Sequence, residues 1–525
     1  MLFPDRRTAT APALSLRLAA SLQRRARIVS IIVMLPLAAG CAASKPQTTA
    51  KAEDMLRAPT STTDERRVAL DQIWTDSKGT HEATRERMKS IAWRISNDPS
   101  LRLHALELLR DDPQDPGNAD TRKMFALMLP SEPAPDVVAF IARAAVAKQW
   151  TDLTPALVRA WARPTGTDDP NRSERAAILT LNPGKTPEQA VFAVYATPIT
   201  GTGMEKDRNE GARSAAWHLL SRLDPSGDTR RALLAAYTPT PGAAADAGLD
   251  DLRAAAADLG ILPMSANQLS WLREMRRFDA KGEGAPGAAR QAWWTETTAA
   301  VARLTPAQRQ GLAMRHLESV RAITCQHPEW LTWDRAQAIA ALGARLKDRK
   351  TVQRTGVQEN GLSWTSESFD SQQKNLSWAD AVTVLLIDDV LQTSPVRAEL
   401  WKQVERDLKN TATELGGLLE PAPGAKGVYT PVLYSPRPAS VRGDDRYVAP
   451  EELFLAGGMT LAHYHFHAQR LDNHVYAGPG PGDMDFAADQ GRACIVVTPI
   501  GQGKMNIDYY QLGDVTIDLG VFKSE

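Results

Sequence analysis

The stretch Ala462-His463-Tyr464-His465-Phe466-His467 carries the strongest signal for fold and function in this chain. Its alternation of histidine with aromatic residues predicts a β-strand. Successive strand residues point to opposite faces, so His465 and His467 project to the same side, about 6.5–7 Å apart along the chain. Two imidazoles at that spacing can share one metal ion. Four of the nine histidines lie within residues 463–474, which strengthens this interpretation.

A metal centre of this kind needs a further ligand and a base, and two carboxylates are candidates. Downstream, Gly478-Pro479-Gly480-Pro481-Gly482-Asp483 predicts a tight loop that ends in Asp483. Upstream, Thr413-Glu414-Leu415-Gly416-Gly417-Leu418-Leu419 places Glu414 just before an apolar run. Asp485 competes with Asp483 for the role of third ligand. The combination predicts a zinc hydrolase site.

The residues around these motifs predict a separate α/β domain over 377–525. Ser377 caps a helix over 378–391, Ser394-Pro395 interrupts it, and a second helix follows over 396–410. The pattern then changes to short strands, which we expect at 427–434, 461–467, 493–498, 504–511 and 515–519. Helices followed by strand-rich sequence are typical of an α/β domain.

This region resembles a JAMM (JAB/MPN-type) zinc metalloprotease domain, whose fold is cytidine-deaminase-like. That family has a helix, then Glu-x-Gly-Gly-x-Leu, then a strand ending in His-x-His, then a loop with Ser-x-x-Asp. Here Glu414 begins the first motif, and His465 follows 51 positions later. The resemblance implies that His465, His467 and Asp483 bind Zn²⁺ and that Glu414 is the general base on a zinc-bound water. It also implies a protein or peptide substrate, cleaved at a peptide or isopeptide bond.

Three departures from the family pattern bear on activity. Ala468 stands where the family has proline, and Gly480 stands where it has a serine that helps to hold the oxyanion. The loop between His467 and Asp483 is also longer. The missing serine favours one alternative, a catalytically weak or inactive JAMM-like scaffold lipoprotein that uses its helical repeats for protein interaction. A metal-dependent hydrolase of a small non-peptide amide is a third alternative.

Two other histidines lie close to the motif. His463 shares a face with the pair and is expected to be a core residue or a neighbour of the ligands. His474 lies in the longer loop, where a surface position or a substrate contact is possible.

The region 64–346 is rich in alanine, leucine and arginine and predicts an α-helical domain. Trp161-Ala162-Arg163-Pro164, Tyr195-Ala196-Thr197-Pro198 and Tyr237-Thr238-Pro239 each end a predicted helix with an aromatic residue and a proline. Their spacing fits a helix-pair repeat, so we expect a HEAT- or armadillo-like solenoid, with a helical bundle as the alternative. The polar stretch 347–376 predicts a linker between the two domains.

The N-terminus has the pattern of a bacterial lipoprotein signal over 1–41. Arginines precede the apolar run 28–37, which ends in Leu37-Ala38-Ala39-Gly40-Cys41. Lipidation of Cys41 would anchor the chain to a membrane of the cell envelope, on the extracytoplasmic (periplasmic) side. The following residues, 42–63, predict a disordered tether.

Composition excludes several classes of protein. Lys+Arg and Asp+Glu are equal at 62 each, which argues against nucleic-acid binding through bulk positive charge. The three cysteines, Cys41, Cys325 and Cys494, are far apart. They therefore form neither a disulfide framework nor a thiolate zinc site. The length of 525 residues predicts two or three domains.

Overall fold

The structure is a computed structural model that describes residues 48–77, 80–199, 201–239, 246–279, 287–352, 366–422 and 424–525. The predicted signal peptide, including Cys41, lies outside these residues. Among the described helices, none is long and apolar enough to cross a membrane. The chain divides into two compact units, Met1–Asp76 and Ser77–Glu525.

The described part of the first unit consists of two helices, α1 (Thr49–Arg57) and α2 (Thr63–Thr75). The predicted tether over 42–63 is therefore wrong across α1. The side chain of Thr48 caps α1 by accepting a hydrogen bond from the Lys51 backbone N–H at 3.3 Å, and Ala52 is fully buried. Alanine and lysine are good helix formers, and packing against α2 supplies the burial that a tether would lack.

The second unit begins with helices. Their bounds are α3 His81–Trp93, α4 Pro99–Arg110, α5 Ala119–Met128, α6 Pro135–Ala147, α7 Thr154–Ala162, α8 Ser173–Leu181, α9 Pro187–Ala196, α10 Met204–Leu223, α11 Asp228–Ala236, α12 Ala247–Ala254, α13 Ala266–Met275, α14 Gly287–Ala302, α15 Pro306–Arg309, α16 Leu317–Gln326 and α17 Arg335–Leu346. Neighbours in sequence pack against each other, as in the pairs α3–α4, α7–α8 and α9–α10. The predicted helical region is confirmed.

The aromatic residues that mark the predicted repeat lie where helices end. Trp161 is in the last turn of α7 and Tyr195 in the last turn of α9, and both are buried. Tyr237 directly follows α11. Each helix stops because the nearby proline cannot continue it.

The C-terminal region is α/β. Its helices are α18 Phe369–Gln372, α19 Trp378–Gln392, α20 Ser394–Asp407, α21 Glu451–Ala456 and α22 Pro481–Gln490. Its strands are β1 Gly416–Pro421, β2 Tyr429–Leu433, β3 Ala462–Phe466, β4 Cys494–Pro499, β5 Lys504–Gln511 and β6 Val515–Lys523. The fold class of a helical region followed by an α/β region is confirmed at this level.

The six strands form one mixed sheet in the order β2-β1-β3-β4-β5-β6. The β3–β4 pair is parallel and the other pairs are antiparallel. The strands predicted at 427–434, 461–467, 493–498, 504–511 and 515–519 correspond to β2 to β6, whereas β1 was not predicted. Since β3 and β4 are parallel, the chain between them must cross over, and that crossover contains α22.

The sheet is covered on both faces. On one face, the Tyr464 hydroxyl donates a hydrogen bond of 2.6 Å to Gln403 of α20. On the other face, Ala487 of α22 packs in a buried cluster with Cys494, Val496 and Tyr510. Because side chains alternate along β3, His463 and His465 lie on the α22 face.

The helical region supports this crossover directly. The guanidinium of Arg492, between α22 and β4, lies over the ring of Trp271 of α13 at 3.9 Å. Gln268 of the same helix donates to the backbone oxygen of Gly491 at 3.5 Å. Both contacts hold the segment immediately after α22.

The predicted linker, 347–376, contacts the sheet at both of its described ends. The backbone N–H of Val521 in β6 donates to the Lys350 oxygen at 2.9 Å, and that of Asp518 donates to the Glu367 oxygen at 2.9 Å. The helical region and the sheet therefore belong to one compact unit, Ser77–Glu525.

Candidate metal centre

Two imidazoles and one carboxylate meet at the C-terminal end of β3. The Nε2 atoms of His465 and His467 lie 3.2 Å apart. Oδ1 of Asp483 is 3.1 Å from Nε2 of His465, and Oδ2 is 3.3 Å from Nε2 of His467. His465 belongs to β3, His467 follows its last residue, and Asp483 lies in the first turn of α22. The structure thus brings together the three residues that the sequence predicts as ligands.

The distances between these atoms suit a small cation. Zinc bonds of about 2.0–2.1 Å place the ligand atoms of a tetrahedral site about 3.3–3.4 Å apart. The observed separations of 3.1, 3.2 and 3.3 Å are close to this value. Two imidazole nitrogens and one carboxylate make three protein ligands, as in catalytic zinc sites, which keep a fourth position open. His465, His467 and Asp483 therefore fit a zinc ion.

Each imidazole is held through its other ring nitrogen. Nδ1 of His467 lies 2.8 Å from the backbone oxygen of Tyr476. A carbonyl can only accept, so this Nδ1 carries the hydrogen, and in the neutral ring Nε2 presents a lone pair to the centre. Nδ1 of His465 is 3.3 Å from the Tyr510 hydroxyl. Contacts of this kind orient histidines that bind metals.

The imidazole of His467 and the carboxylate of Asp483 stabilise each other's charge. Burial opposes charge on His467, but its hydrogen bond to Asp483 and the charge of that carboxylate outweigh burial and raise the pKa of His467 to about 9. Burial also opposes ionisation of Asp483, yet the two imidazoles hold the pKa of its carboxyl well below the usual range. Asp483 therefore remains an anion that is paired with the imidazoles.

Glu414 lies next to the two imidazoles, in the segment that joins α20 to β1. It precedes β1, which runs antiparallel to β3 with Gly416 opposite His465. Its ligand atom and those of His465 and His467 all lie within 4.8 Å of one another. Gln469 donates a hydrogen bond of 2.8 Å to its Oε1. Burial raises the pKa of the Glu414 carboxyl, while the imidazoles and Gln469 oppose that rise.

A second buried carboxyl, that of Asp407, lies at the C-terminal end of α20. It is 2% exposed, and its Oδ1 has no hydrogen-bond partner among the described residues. Burial, followed by the charge of Glu414, raises the pKa of Asp407 to about 8. The helix C-terminus also disfavours a negative charge. Asp407 is therefore mostly a neutral acid at pH 7.

Asp407→Asn should stabilise the protein at alkaline pH and much less at acidic pH. The unfolded carboxyl ionises near pH 4 and the folded one at about pH 8. The wild type therefore loses up to about 1.4 kcal/mol of unfolding free energy per pH unit between these values. Urea unfolding at pH 5, 6.5 and 8 measures the difference between variant and wild type. The exposed control Asp485→Asn should not change the pH dependence. A difference for Asp407→Asn that is constant with pH would contradict the assignment.

The alternative ligand and the neighbouring histidines lie elsewhere. Asp485 is exposed on α22. His463 is buried, with ring centroids of Phe486 and Tyr447 at 4.7 and 5.7 Å, and neither of its ring nitrogens has a hydrogen-bond partner among the described residues. His474 is exposed and pairs with Asp472 at 3.0 Å. None of these three residues takes part in the cluster.

The predicted loop around Asp483 is partly helical. Pro481 occupies the start of α22, where proline is well tolerated, and Asp483 is in its first turn. The backbone N–H of Gly480 donates to Oδ2 of Asp483 at 2.7 Å. The glycine at the family's serine position thus orients the carboxylate through its main chain.

Sequence reasoning missed the residues that hold the ligands and the base. Gln469 was detectable in principle, because it continues the two-residue spacing of His465 and His467. Tyr476 acts through its backbone oxygen, so its side chain gave no signal. Tyr510 becomes a neighbour of His465 only through strand pairing across β4, which the sequence did not define.

No known protein family, curated protein or solved structure matches this chain. The resemblance to the JAMM family rests on the sequence motifs alone.

Proposed function

We propose that this protein is a zinc-dependent hydrolase of peptide or isopeptide bonds with a JAMM-like site. The observation that carries the proposal is the approach of two Nε2 atoms and the Asp483 carboxylate to 3.1–3.3 Å. Glu414, the predicted base, lies beside them and is buried. A structural metal site would need no such additional carboxylate.

The residues divide the work between binding and proton transfer. His465, His467 and Asp483 would hold the zinc. Bound zinc supplies a Lewis acid and lowers the pKa of coordinated water to about 7. Glu414 accepts a proton in the buried site and returns it to the leaving amine. Gln469 occupies Oε1 of Glu414, so Oε2 is the oxygen available for that transfer.

The remaining chain fits a role in placing this site. Lipidation of Cys41 would hold the protein at a bacterial envelope membrane, on its extracytoplasmic side. Helices α3–α17, arranged as a HEAT-like array, would recruit or orient a protein substrate. The second candidate function is an inactive JAMM-like scaffold, and the lack of a side chain at Gly480 favours it.

Zinc content tests the proposal. Purified without chelators and supplied with zinc, the wild type should carry about one zinc ion per chain, as a single site requires. His465→Ala/His467→Ala should carry almost none, because both imidazole ligands are gone. Asp483→Asn should weaken zinc binding, whereas the exposed control Asp485→Asn should not. Elemental analysis with chelator competition gives both stoichiometry and affinity.

A wild-type protein that binds no zinc under these conditions would overturn the proposal. Full zinc with no cleavage of any peptide or isopeptide in a library would favour the scaffold instead.

A further inference from the structure

A fully buried asparagine connects the candidate ligands to the loop beside them. The Nδ2 group of Asn473 donates to the backbone oxygen of His467 at 2.9 Å and to Oε1 of Gln469 at 2.6 Å. Its Oδ1 accepts from Nε of Arg470 at 3.1 Å, and its backbone N–H donates to the Pro499 oxygen at 2.8 Å. All four contacts fix both the position and the orientation of this amide.

Gln469 extends this network to the candidate base. Its Oε1 accepts from Asn473, so its Nε2 must face the other way. There Nε2 donates to Oε1 of Glu414 at 2.8 Å and to the backbone oxygen of Asp444 at 2.6 Å. Both acceptors are oxygens, so the amide orientation is consistent at each end.

This arrangement restricts the Glu414 side chain. A glutamate has several rotatable bonds, and holding it in one geometry costs conformational entropy. Gln469 is itself held by Asn473 and by the backbone oxygen of Asp444. The entropy of ordering Glu414 is therefore lost during folding and not during catalysis. The carboxylate then stays beside the imidazoles with Oε2 directed away from Gln469.

We propose that Gln469 and Asn473 form a clamp that positions Glu414 for proton transfer, with Gln469 as a positioning residue. The inference rests on the hydrolase function proposed above. Through Asn473, the clamp also ties Glu414 to the main chain of the ligand His467. It therefore sets the distance between the base and the metal-binding atoms.

Gln469→Met and Gln469→Ala test the clamp. Methionine keeps the length of glutamine but cannot donate, so both variants should behave alike if the hydrogen bond matters. We expect kcat to fall by about 10–100-fold, the usual cost of losing a residue that supports a metal-site group. KM and zinc affinity should stay within about twofold, because no ligand or substrate contact is removed. Asp472→Ala, an exposed residue between Gln469 and Asn473, is the matched control and should leave all three unchanged.

A double variant separates positioning from other roles. If Gln469 acts only through Glu414, then Gln469→Met should cost nothing further in a Glu414→Gln background. An additive loss would overturn the proposal. So would loss of zinc in Gln469→Met alone, because Gln469 would then support the ligands.

A readout without catalysis distinguishes failure of the clamp from failure of the hydrolase function. Crystal structures of the wild type and of Gln469→Met should show the Glu414 carboxylate ordered in the first and displaced in the second. An unmoved Glu414 overturns the clamp even if the wild type is active. A wild type without zinc or cleavage overturns the hydrolase and, with it, a clamp for catalysis.

Discussion

Glu414→Gln should lower kcat for peptide cleavage by about 10²–10⁴-fold, the usual contribution of a general base. The amide of glutamine cannot accept a proton at neutral pH, so the general base is lost. Its size matches that of the carboxylate, so the packing is preserved. Oε1 of the new side chain can still accept the hydrogen bond from Gln469. Zinc content and melting temperature should therefore stay near wild-type values. Steady-state kinetics on a fluorogenic peptide from the library, with zinc analysis of the same preparations, measures the effect.

Glu451→Gln is the matched control for that variant, because Glu451 is an exposed glutamate in the first turn of α21. It should retain full activity. Loss of zinc in Glu414→Gln would instead make Glu414 a ligand, a role that the 4.8 Å cluster with His465 and His467 also permits. Unchanged kcat would remove Glu414 from the mechanism.

Gly417→Ala should destabilise the protein by more than about 3 kcal/mol, as severe overpacking does. A Cβ at this position would lie 2.0 Å from the backbone oxygen of Val432 and 2.6 Å from the Tyr464 hydroxyl. Val432 is paired with β1 in the sheet, so its backbone cannot withdraw without breaking strand pairing. Zinc binding should fall as well, since Tyr464 adjoins His465 in β3. Urea unfolding and zinc titration measure the two losses.

Gly482→Ala serves as the control for Gly417→Ala. No atom lies within 4 Å of a Cβ built at Gly482, which is exposed in the first turn of α22. The change in unfolding free energy should stay within about 0.5 kcal/mol, as at most surface positions. Equal losses in the two variants would mean that the Gly417 contact does not limit stability.

Local periodicity was sufficient to predict the strand with its two histidines. Alternation along the predicted strand 461–467 put His465 and His467 on one face, and the structure places their Nε2 atoms 3.2 Å apart, with His467 directly after β3. The helices predicted over 378–391 and 396–410 correspond to α19 and α20. Ser377 caps α19 as predicted, whereas α20 begins at Ser394, so Ser394-Pro395 starts that helix and does not lie outside it. Asp483 was predictable from the loop of alternating glycine and proline that it ends, and from the family pattern, although Asp485 lies only two positions further on.

Features that depend on tertiary pairing were not predictable. β1 begins with Gly416 and Gly417, which have low strand propensity, and it forms because β2 and β3 pair with both of its edges. α22 begins with Pro481 and Gly482, the end of a glycine- and proline-rich stretch that predicted a loop, yet Pro481 suits a helix start. The partners of Glu414 follow from how the crossover folds back, which no local pattern encodes.

The stack of Arg492 on Trp271 has a practical consequence for dissecting this protein. Asp483 is carried by α22, and the residues just beyond α22 rest on α13, more than 200 positions earlier in the chain. A fragment starting near residue 377 would expose Arg492 and release the anchor of the segment that delivers the carboxylate. If the proposed zinc site is correct, truncation to residues 377–525 is thus expected to weaken zinc binding, so functional assays require the longer chain.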